Sequence, residues 1–152
     1  MNGDAMRPIA QWSQRDIQRI FGVFTDIDDT LTTDGAITDD ALVALGKLKD
    51  AGLHVIAITG RPVGWSEPFA RSWPIDAIVP ENGSVALVRA MAHSPHGAVP
   101  IGVQRLYLQD ADTRTTNFQR MQQVAQRVLR EVPGSTLARD SAGRETDIAI
   151  DH

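Results

Sequence analysis

Apolar residues along the chain follow two periods, which together predict alternating strands and helices. Strands are predicted around Val23, at residues 53–58 and at residues 75–79, and the run at 53–58 is of the continuous apolar kind that a covered parallel strand shows. Between the first two runs, Thr38 is placed to cap a helix with apolar residues at helical spacing, and Gly52 is placed to end it. This strand–helix–strand order predicts a βαβ unit, whose ligands bind beyond the carboxyl ends of the strands.

The rest of the chain has weaker signals. Asn82-Gly83 is a hairpin turn signal, so a strand is predicted to run back over residues 84–88. A helix over 62–74, interrupted near Pro68, is predicted before the third strand. The later pattern predicts a loop over 91–102, a short strand over 107–110, a helix whose apolar stripe packs in the core, and a hairpin over 135–151.

Composition narrows the function classes. The chain has 152 residues, enough for one domain with a real core, and a net charge of −4, which argues against a nucleic-acid partner. No apolar run approaches the ~20 residues of a membrane span, and the first residues lack the apolar segment of a signal peptide. Zero cysteines exclude disulfides, thiolate metal sites and cysteine nucleophiles. We expect a cytoplasmic protein with no nucleic-acid or membrane partner.

Two carboxylates, Asp26 and Asp28, follow the first apolar run. Alternate residues of a strand point the same way, so both carboxylates are expected on one side of the exit turn. Two like charges so close resist joint ionisation unless a cation or a shared proton relieves them. The pair therefore suits metal-assisted chemistry, although an acidic loop or a weak calcium-like site is the alternative interpretation.

Residues 21–35, F-G-V-F-T-D-I-D-D-T-L-T-T-D-G, resemble the first motif of the haloacid-dehalogenase-like hydrolase superfamily, most of whose members are magnesium-dependent phosphatases. The resemblance implies that Asp26 is the nucleophile that takes the phosphoryl group. It implies that Asp28 is the general acid/base, that Thr30 orients Asp28, and that Asp26 and Asp28 hold Mg²⁺. The implied fold is α/β: a partial Rossmann-like parallel sheet with a βαβ core and the start of an inserted α+β cap domain.

Thr59-Gly60-Arg61 resembles the second motif of the superfamily. There the Thr59 hydroxyl and the Gly60 amide would donate to a phosphoryl group, while Arg61 would clamp substrate or balance the local acidic charge. The run E-N-G resembles the cap-bearing branch that includes sucrose-phosphate and trehalose-phosphate phosphatases, in which Asn82 would lie near the substrate. An ordinary loop and an ordinary turn are the alternatives.

The resemblance covers residues 21–88, after an N-terminal extension at 1–20, and residues 89–152 resemble the first part of a cap. The third motif should supply a lysine or arginine, yet no lysine follows Gly52. Asp147 and Asp151 have a spacing seen in some fourth motifs, but we interpret them as cap residues. The sequence therefore suggests an enzyme truncated within its cap.

The leading hypothesis is a magnesium-dependent phosphatase that hydrolyses a phosphate monoester, a phosphorylated sugar by branch resemblance, through an aspartyl-phosphate, with impaired activity in this short chain. One alternative is a non-catalytic phosphate-binding or oligomerising remnant, and another is a capless sugar-acid phosphatase. The expected partner is a small-molecule phosphate ester, with self-association through exposed strand edges.

Overall fold

The computed structural model describes residues 7–94 and 97–152. The main strands are β1 Gly22–Asp26, β4 His54–Ile58, β5 Ala77–Val79, β6 Val85–Ser94 and β7 Gly97–Tyr107. The short strands are β2 Thr32–Thr33, β3 Ala36–Ile37, β8 Thr136–Leu137 and β9 Ile150–Asp151, and the helices are α1 Gln14–Ile17, α2 Asp39–Asp50, α3 Val63–Ser72 and α4 Ala111–Glu131.

The main strands form one sheet in the order β1-β4-β5-β6-β7. β1, β4 and β5 are parallel, whereas β6 and β7 are each antiparallel to the preceding strand. The buried core joins residues of the parallel strands to α2, α3 and β6. The predicted α/β class with a βαβ core is confirmed.

The βαβ unit forms for the local reasons that the sequence indicated. The Thr38 hydroxyl accepts from the Ala41 amide at 3.4 Å and caps α2, and Gly52 follows the helix with a φ of +78°. This left-handed conformation favours glycine at a helix end. In the register of β1 against β4, Asp26 lies opposite Ile58. The chain therefore delivers the first and second motifs to the same edge of the sheet.

The predicted interruption near Pro68 is wrong, because α3 runs through it as one helix. Pro68 lies on the exposed side, while Val63, Ser66 and Ala70 are buried on the other. An interior proline costs a helix about 3 kcal/mol or more, so packing of the buried face holds the helix together here.

The predicted loop over 91–102 is also wrong, since β6 and β7 form a long hairpin through most of it. The register shifts between Ala90 and Met91, where Gly102 pairs with Ala90 at a φ of +151°. Pro100 is tolerated because β7 is an edge strand, where a missing amide donor costs little. Gly102 therefore lies at the irregularity in the hairpin, and Pro100 lies in the edge strand. The short strand predicted over 107–110 is wrong as well, since β7 ends at Tyr107.

The final third of the chain packs more loosely than predicted. The apolar stripe of α4 contributes no member to the buried core cluster of the described residues, although Ala125 is buried. The predicted hairpin over 135–151 is limited to β8 and β9, two residues each. The predicted division at residue 88 into core and cap stays a prediction, and β6 runs across it. Within the described residues, no helix is both long and apolar enough to cross a membrane.

Candidate active site

The first acidic motif forms a tight turn around a buried residue. Ile27 is fully buried, and its carbonyl accepts from the amides of Leu31 and Thr32 at 3.0 and 3.1 Å and from the Thr32 hydroxyl at 3.1 Å. Asp29 has a φ of +55°, which allows the chain to reverse. Asp26 and Asp28 flank Ile27, so burying Ile27 leaves both carboxylates on the outer side of the turn.

Asp28 is held by residues of the second motif. Arg61 donates to its carboxylate from Nη2 at 2.9 Å and from Nε at 3.2 Å, and the buried Thr59 hydroxyl donates to it at 3.4 Å. The hydrogen bond to Asp28 raises the pKa of Arg61, against the opposing effect of burial. Because neighbouring strands lie about 5 Å apart, the register also places the Cα of Thr59 within about 7 Å of that of Asp26.

Gly60 and Asn82 are close neighbours at the same edge. A Cβ atom on Gly60 would lie 3.3 Å from the Asn82 Oδ1, so the glycine keeps this approach open. Asn82 stands in a turn closed by the Gly83 amide donating to the Pro80 carbonyl at 3.2 Å. Glu81 and Asn82 both have positive φ there, as a type I′ turn requires, so the central pair is Glu81-Asn82 rather than Asn82-Gly83.

Asp26 and Thr30 differ from the other site residues. Both are exposed, and neither the Asp26 carboxylate nor the Thr30 hydroxyl makes a hydrogen bond within residues 7–94 and 97–152. The Thr30 hydroxyl therefore makes no hydrogen bond to Asp28 in this structure. The Asp26 carboxylate is free to meet a ligand.

The sequence interpretation missed Glu81, which is 1% exposed. Its carboxylate accepts from the amides of Val63 at 3.0 Å, Glu145 at 3.0 Å and Thr146 at 2.7 Å, and from the Thr146 hydroxyl at 2.5 Å. Glu81 therefore fastens the segment around residue 145 to the start of α3, directly after the second motif. The sequence shows only an acidic residue beside the turn asparagine, and the run E-N-G by itself is typical of an exposed turn.

The sequence interpretation also missed Arg144, whose side chain is only 7% exposed. It donates to the Gly60 carbonyl at 3.2 Å and to the Asp147 carboxylate at 2.7 Å, and it pairs with Asp140 at 3.2 Å. Burial opposes the charge of Arg144, but the hydrogen bonds to Asp147 and Asp140 raise its pKa. Arg144 thus brings a positive charge to the second motif from the last ten residues of the sequence, although no lysine follows Gly52.

Asp147 lies at the edge of the site, because the Asn82 amide donates to its carboxylate at 3.0 Å. The interpretation of Asp147 as a cap residue gave no reason to expect this contact. No local pattern in the sequence signals it, since 65 residues separate the partners.

The fit of Mg²⁺ to this edge is partial. The Asp26 carboxylate and the Asp28 main-chain carbonyl are hard oxygen ligands of the type that Mg²⁺ takes, and no hydrogen bond in the described part of the chain uses either. No group of three or more acidic or histidine side chains able to hold a metal occurs among these residues. The Asp28 carboxylate is engaged by Arg61. Two oxygens suit a magnesium ion that keeps most of its waters.

Comparison with known proteins shows which family the region of these motifs matches. A family model for haloacid dehalogenase-like hydrolases matches residues 23–95. The solved structure of Thermoplasma acidophilum protein 0175 has a TM-score of 0.58 and 16% identity, over 87% of this chain and 51% of that one. The chain thus spans about half of that structure, and the likeness shows the fold.

Two phosphatases of the haloacid dehalogenase (HAD) superfamily are similar over different lengths. A subclass IIB sugar phosphatase is 28% identical over 43% of this chain and 27% of its own, with a TM-score of 0.37. A phosphatase from Bacteroides thetaiotaomicron is 15% identical over 86% of this chain and 67% of its own, with a TM-score of 0.44. No curated protein matches the chain. The resemblance that the sequence predicted is confirmed: residues 23–95 match the family of haloacid dehalogenase-like hydrolases.

Proposed function

We propose that this protein is a magnesium-dependent phosphatase that hydrolyses a phosphate monoester through an aspartyl-phosphate. One observation carries the proposal: the free Asp26 carboxylate stands one strand away from Thr59, whose hydroxyl reaches Asp28 at 3.4 Å. The proposed nucleophile, the proposed acid and the proposed phosphate donors are therefore neighbours at the carboxyl edge of a parallel sheet, where ligands bind in open α/β folds.

In the proposed reaction, a carboxylate oxygen of Asp26 attacks phosphorus while the bond from phosphorus to the ester oxygen breaks. Asp28 gives its proton to the leaving oxygen. A water molecule then attacks the phosphorus, its proton passes to Asp28, and inorganic phosphate and the Asp26 carboxylate are released. Each cycle thus returns both side chains to their starting states.

The remaining residues position the phosphoryl group. The Thr59 hydroxyl and the Gly60 amide would donate to its oxygens, and Asn82 would lie beside the leaving group. Substrate would draw Arg61 from Asp28 to the phosphoryl oxygens, which would free Asp28 to carry its proton, and Thr30 would then orient Asp28. When bound, Mg²⁺ would be held by Asp26 and the Asp28 carbonyl and would neutralise phosphoryl charge.

The test is hydrolysis of p-nitrophenyl phosphate with Mg²⁺, before and after a chelator. We expect turnover by this chain below the ~1–10³ per second of ordinary enzymes, because its metal site is partial. Asp26→Asn should lower even that rate by about 10³-fold or more, since an amide is a poor nucleophile of nearly the same shape. Asp50→Asn, an exposed position at the end of α2, is the matched control and should keep the wild-type rate. Full activity of Asp26→Asn would contradict the covalent mechanism.

The substrate class that we propose is a phosphorylated sugar, which rests on the branch resemblance of E-N-G alone. We further propose that residues 21–88 form the hydrolase core and residues 89–152 the first part of a cap. A capless phosphatase is less well supported, because most of a long hairpin and the whole 21-residue helix α4 follow residue 88.

A non-catalytic phosphate-binding module is the second candidate, and the partial metal site favours it. Binding of inorganic phosphate separates the two functions. A module should bind phosphate equally well with and without Mg²⁺ and should show no turnover above the Asp26→Asn background. Turnover abolished by a chelator would exclude the module.

We also propose that the chain self-associates through β1. This strand is an edge of the sheet, and the exposed fractions of Phe21 and Phe24 are 81% and 69%. An uncovered apolar edge strand favours pairing with a second strand. Light scattering should show dimers or larger species in the wild type, whereas Phe24→Lys should shift the population to monomer. A wild-type monomer at high concentration would reject this proposal.

A further inference from the structure

A cavity of about 330 Å³ lies between the first turns of α4 and the start of β6. Arg114, Asn117 and Arg120 line it from one helix face, at spacings of three residues, and Ser84 and Thr146 present hydroxyls from the other side. None of the residues that line this cavity is acidic. The cavity is therefore positive, with its charge supplied by Arg114 and Arg120.

The two arginines of the cavity have no carboxylate partner within the described residues. Arg114 lies 3.5 Å over the Tyr107 ring and donates to the Gln109 carbonyl at 3.0 Å, so its partners are neutral. Arg120 makes no hydrogen bond or ion pair in the described part of the molecule. Glu145 lies beyond Arg114 in a neighbouring cavity and already contacts the Tyr107 hydroxyl.

Other arginines near the edge of the sheet behave differently. Arg61 and Arg144 both hold carboxylates of this chain, at 2.9 and 2.7 Å. The contrast matters because a guanidinium fork matches a carboxylate or phosphate in geometry and charge. Arg114 and Arg120 lack such a partner within the described residues, so both guanidinium groups are available to an anion from outside the chain.

The cavity adjoins the proposed phosphate site through Asn82. Ser84 follows two residues after Asn82 and contacts the Thr146 hydroxyl. The residue after Thr146 is Asp147, which accepts from Asn82 at 3.0 Å. Asn82 also faces Gly60, so it connects the proposed phosphate site to the residues that line the cavity.

We propose that the cavity is a subsite for a second anionic group on the substrate, a carboxylate or a phosphate carried by the leaving group. The subsite rests on the proposed phosphatase function, which it narrows to substrates with two negative groups. Arg120 would bind the second group directly, while Arg114, fixed against Tyr107, would present a preordered charge. Asn117, which gives one N–H to the Gln109 side chain at 3.1 Å, would add its second N–H as a donor.

Matched probes separate the two sources of negative charge. 3-Phosphoglycerate and glycerol 3-phosphate differ by a carboxylate in place of a hydroxymethyl group, and fructose 1,6-bisphosphate exceeds fructose 6-phosphate by one phosphate. The wild type should bind the doubly anionic member of at least one pair about tenfold more tightly, the worth of one charge-assisted hydrogen bond. Isothermal titration calorimetry on the 152-residue chain gives the dissociation constants.

Two variants of α4 locate the effect. Arg120→Met should reduce the tenfold preference to about one, because it removes the charge and keeps much of the apolar stem. Arg127→Met removes the same charge from the same helix outside the cavity, and should leave the preference unchanged. A wild type that prefers neither doubly anionic probe, or a preference that survives Arg120→Met, would overturn the subsite.

Tricarballylate, a tricarboxylate without phosphate, distinguishes failure of the subsite from failure of the phosphatase. In NMR spectra it should shift the amide signals of Asn117 and Thr146, whereas glycerol 3-phosphate should shift those of Thr59 and Gly60. Shifts by tricarballylate alone would support the subsite and reject the phosphate site. Shifts by glycerol 3-phosphate alone would reject the subsite and leave the phosphatase in place.

Discussion

The two ends of the parallel strands carry polar clusters of different construction. At the amino end, Lys49 donates to the Asp76 carboxylate at 2.6 and 2.7 Å and to the Leu53 carbonyl at 3.1 Å, and the Val55 amide donates to Asp76 at 2.7 Å. We call this the amino-end cluster. All its members lie between residues 49 and 76, and every charge in it is balanced.

The carboxyl-end cluster is assembled from distant parts of the chain and remains open. Its members are Asp28, Thr59, Arg61, Asn82, Arg144 and Asp147. Arg144 donates to the carbonyl of Gly60, which lies 84 positions earlier in the sequence. Beside it, the Asp26 carboxylate has no partner within the described residues. The difference teaches that a completed ion pair stabilises the fold, whereas an unpartnered charge at the carboxyl edge of the sheet is available to a ligand.

The largest expected loss of stability comes from removing the Glu81 carboxylate, which lies beside the carboxyl-end cluster and away from the amino-end cluster. Glu81→Ala should lower the free energy of unfolding by about 3 kcal/mol, because it leaves three amides and one hydroxyl without their acceptor in a buried place. Urea denaturation measures the loss. Glu81→Gln keeps one acceptor oxygen and should lose less.

Hydrogen exchange in Glu81→Ala tests whether the hydrogen bonds to the Glu81 carboxylate stabilise the carboxyl-end cluster alone. The amides of Glu145 and Thr146 should exchange faster, while the Val55 amide, which donates to Asp76, should keep its protection relative to the global stability. Equal acceleration at both ends would show that the two clusters are not independent.

A smaller effect is expected at the amino-end cluster. Lys49→Met should lower the free energy of unfolding by about 1 kcal/mol, since both charged side chains are about a third exposed and solvent screens them. Arg127→Met, which removes an exposed pair with Glu131, should change it by less than about 0.5 kcal/mol and is the matched control. Because Lys49 and Glu81 contact separate groups, the losses in the double variant Lys49→Met/Glu81→Ala should add within about 0.5 kcal/mol.

The pH dependence of the amino-end cluster follows from Asp76. Burial opposes its charge, but hydrogen bonds from Lys49 and the Val55 amide outweigh this and lower the pKa of Asp76. A lowered pKa gives stability that is fully present above the ordinary pKa and is lost as the pH falls through the folded value, thus below about pH 4. Asp76→Asn should therefore lose less stability than wild type on acidification from pH 5 to pH 2. Parallel losses in both proteins would contradict the ion pair.

Prediction from the sequence was accurate for elements held by contacts between residues close in the chain, and less accurate for elements held by contacts between distant residues. The helix from Asp39 to Asp50 was predictable from the Thr38 cap and Gly52, because the hydrogen bonds at helix ends are local. The hairpin of β6 and β7 was not, since pairing across the sheet overrode the loop-like composition of residues 91–102. The helical stripe of α4 was recognised as helical, but its distance from the core depends on the packing of other elements.

The sequence alone determined the α/β class, the placement of Asp26, Asp28 and Thr59 at strand ends, and the resemblance to haloacid dehalogenase-like hydrolases. These depend on apolar runs, caps and motif spacing within about 40 residues. Only the tertiary structure decided that Glu81 holds the segment around residue 145, that Arg144 supplies a late cation to the second motif, and that Arg114 and Arg120 share a cavity without an acid. Such contacts depend on how distant segments fold against one another, and no local periodicity records them.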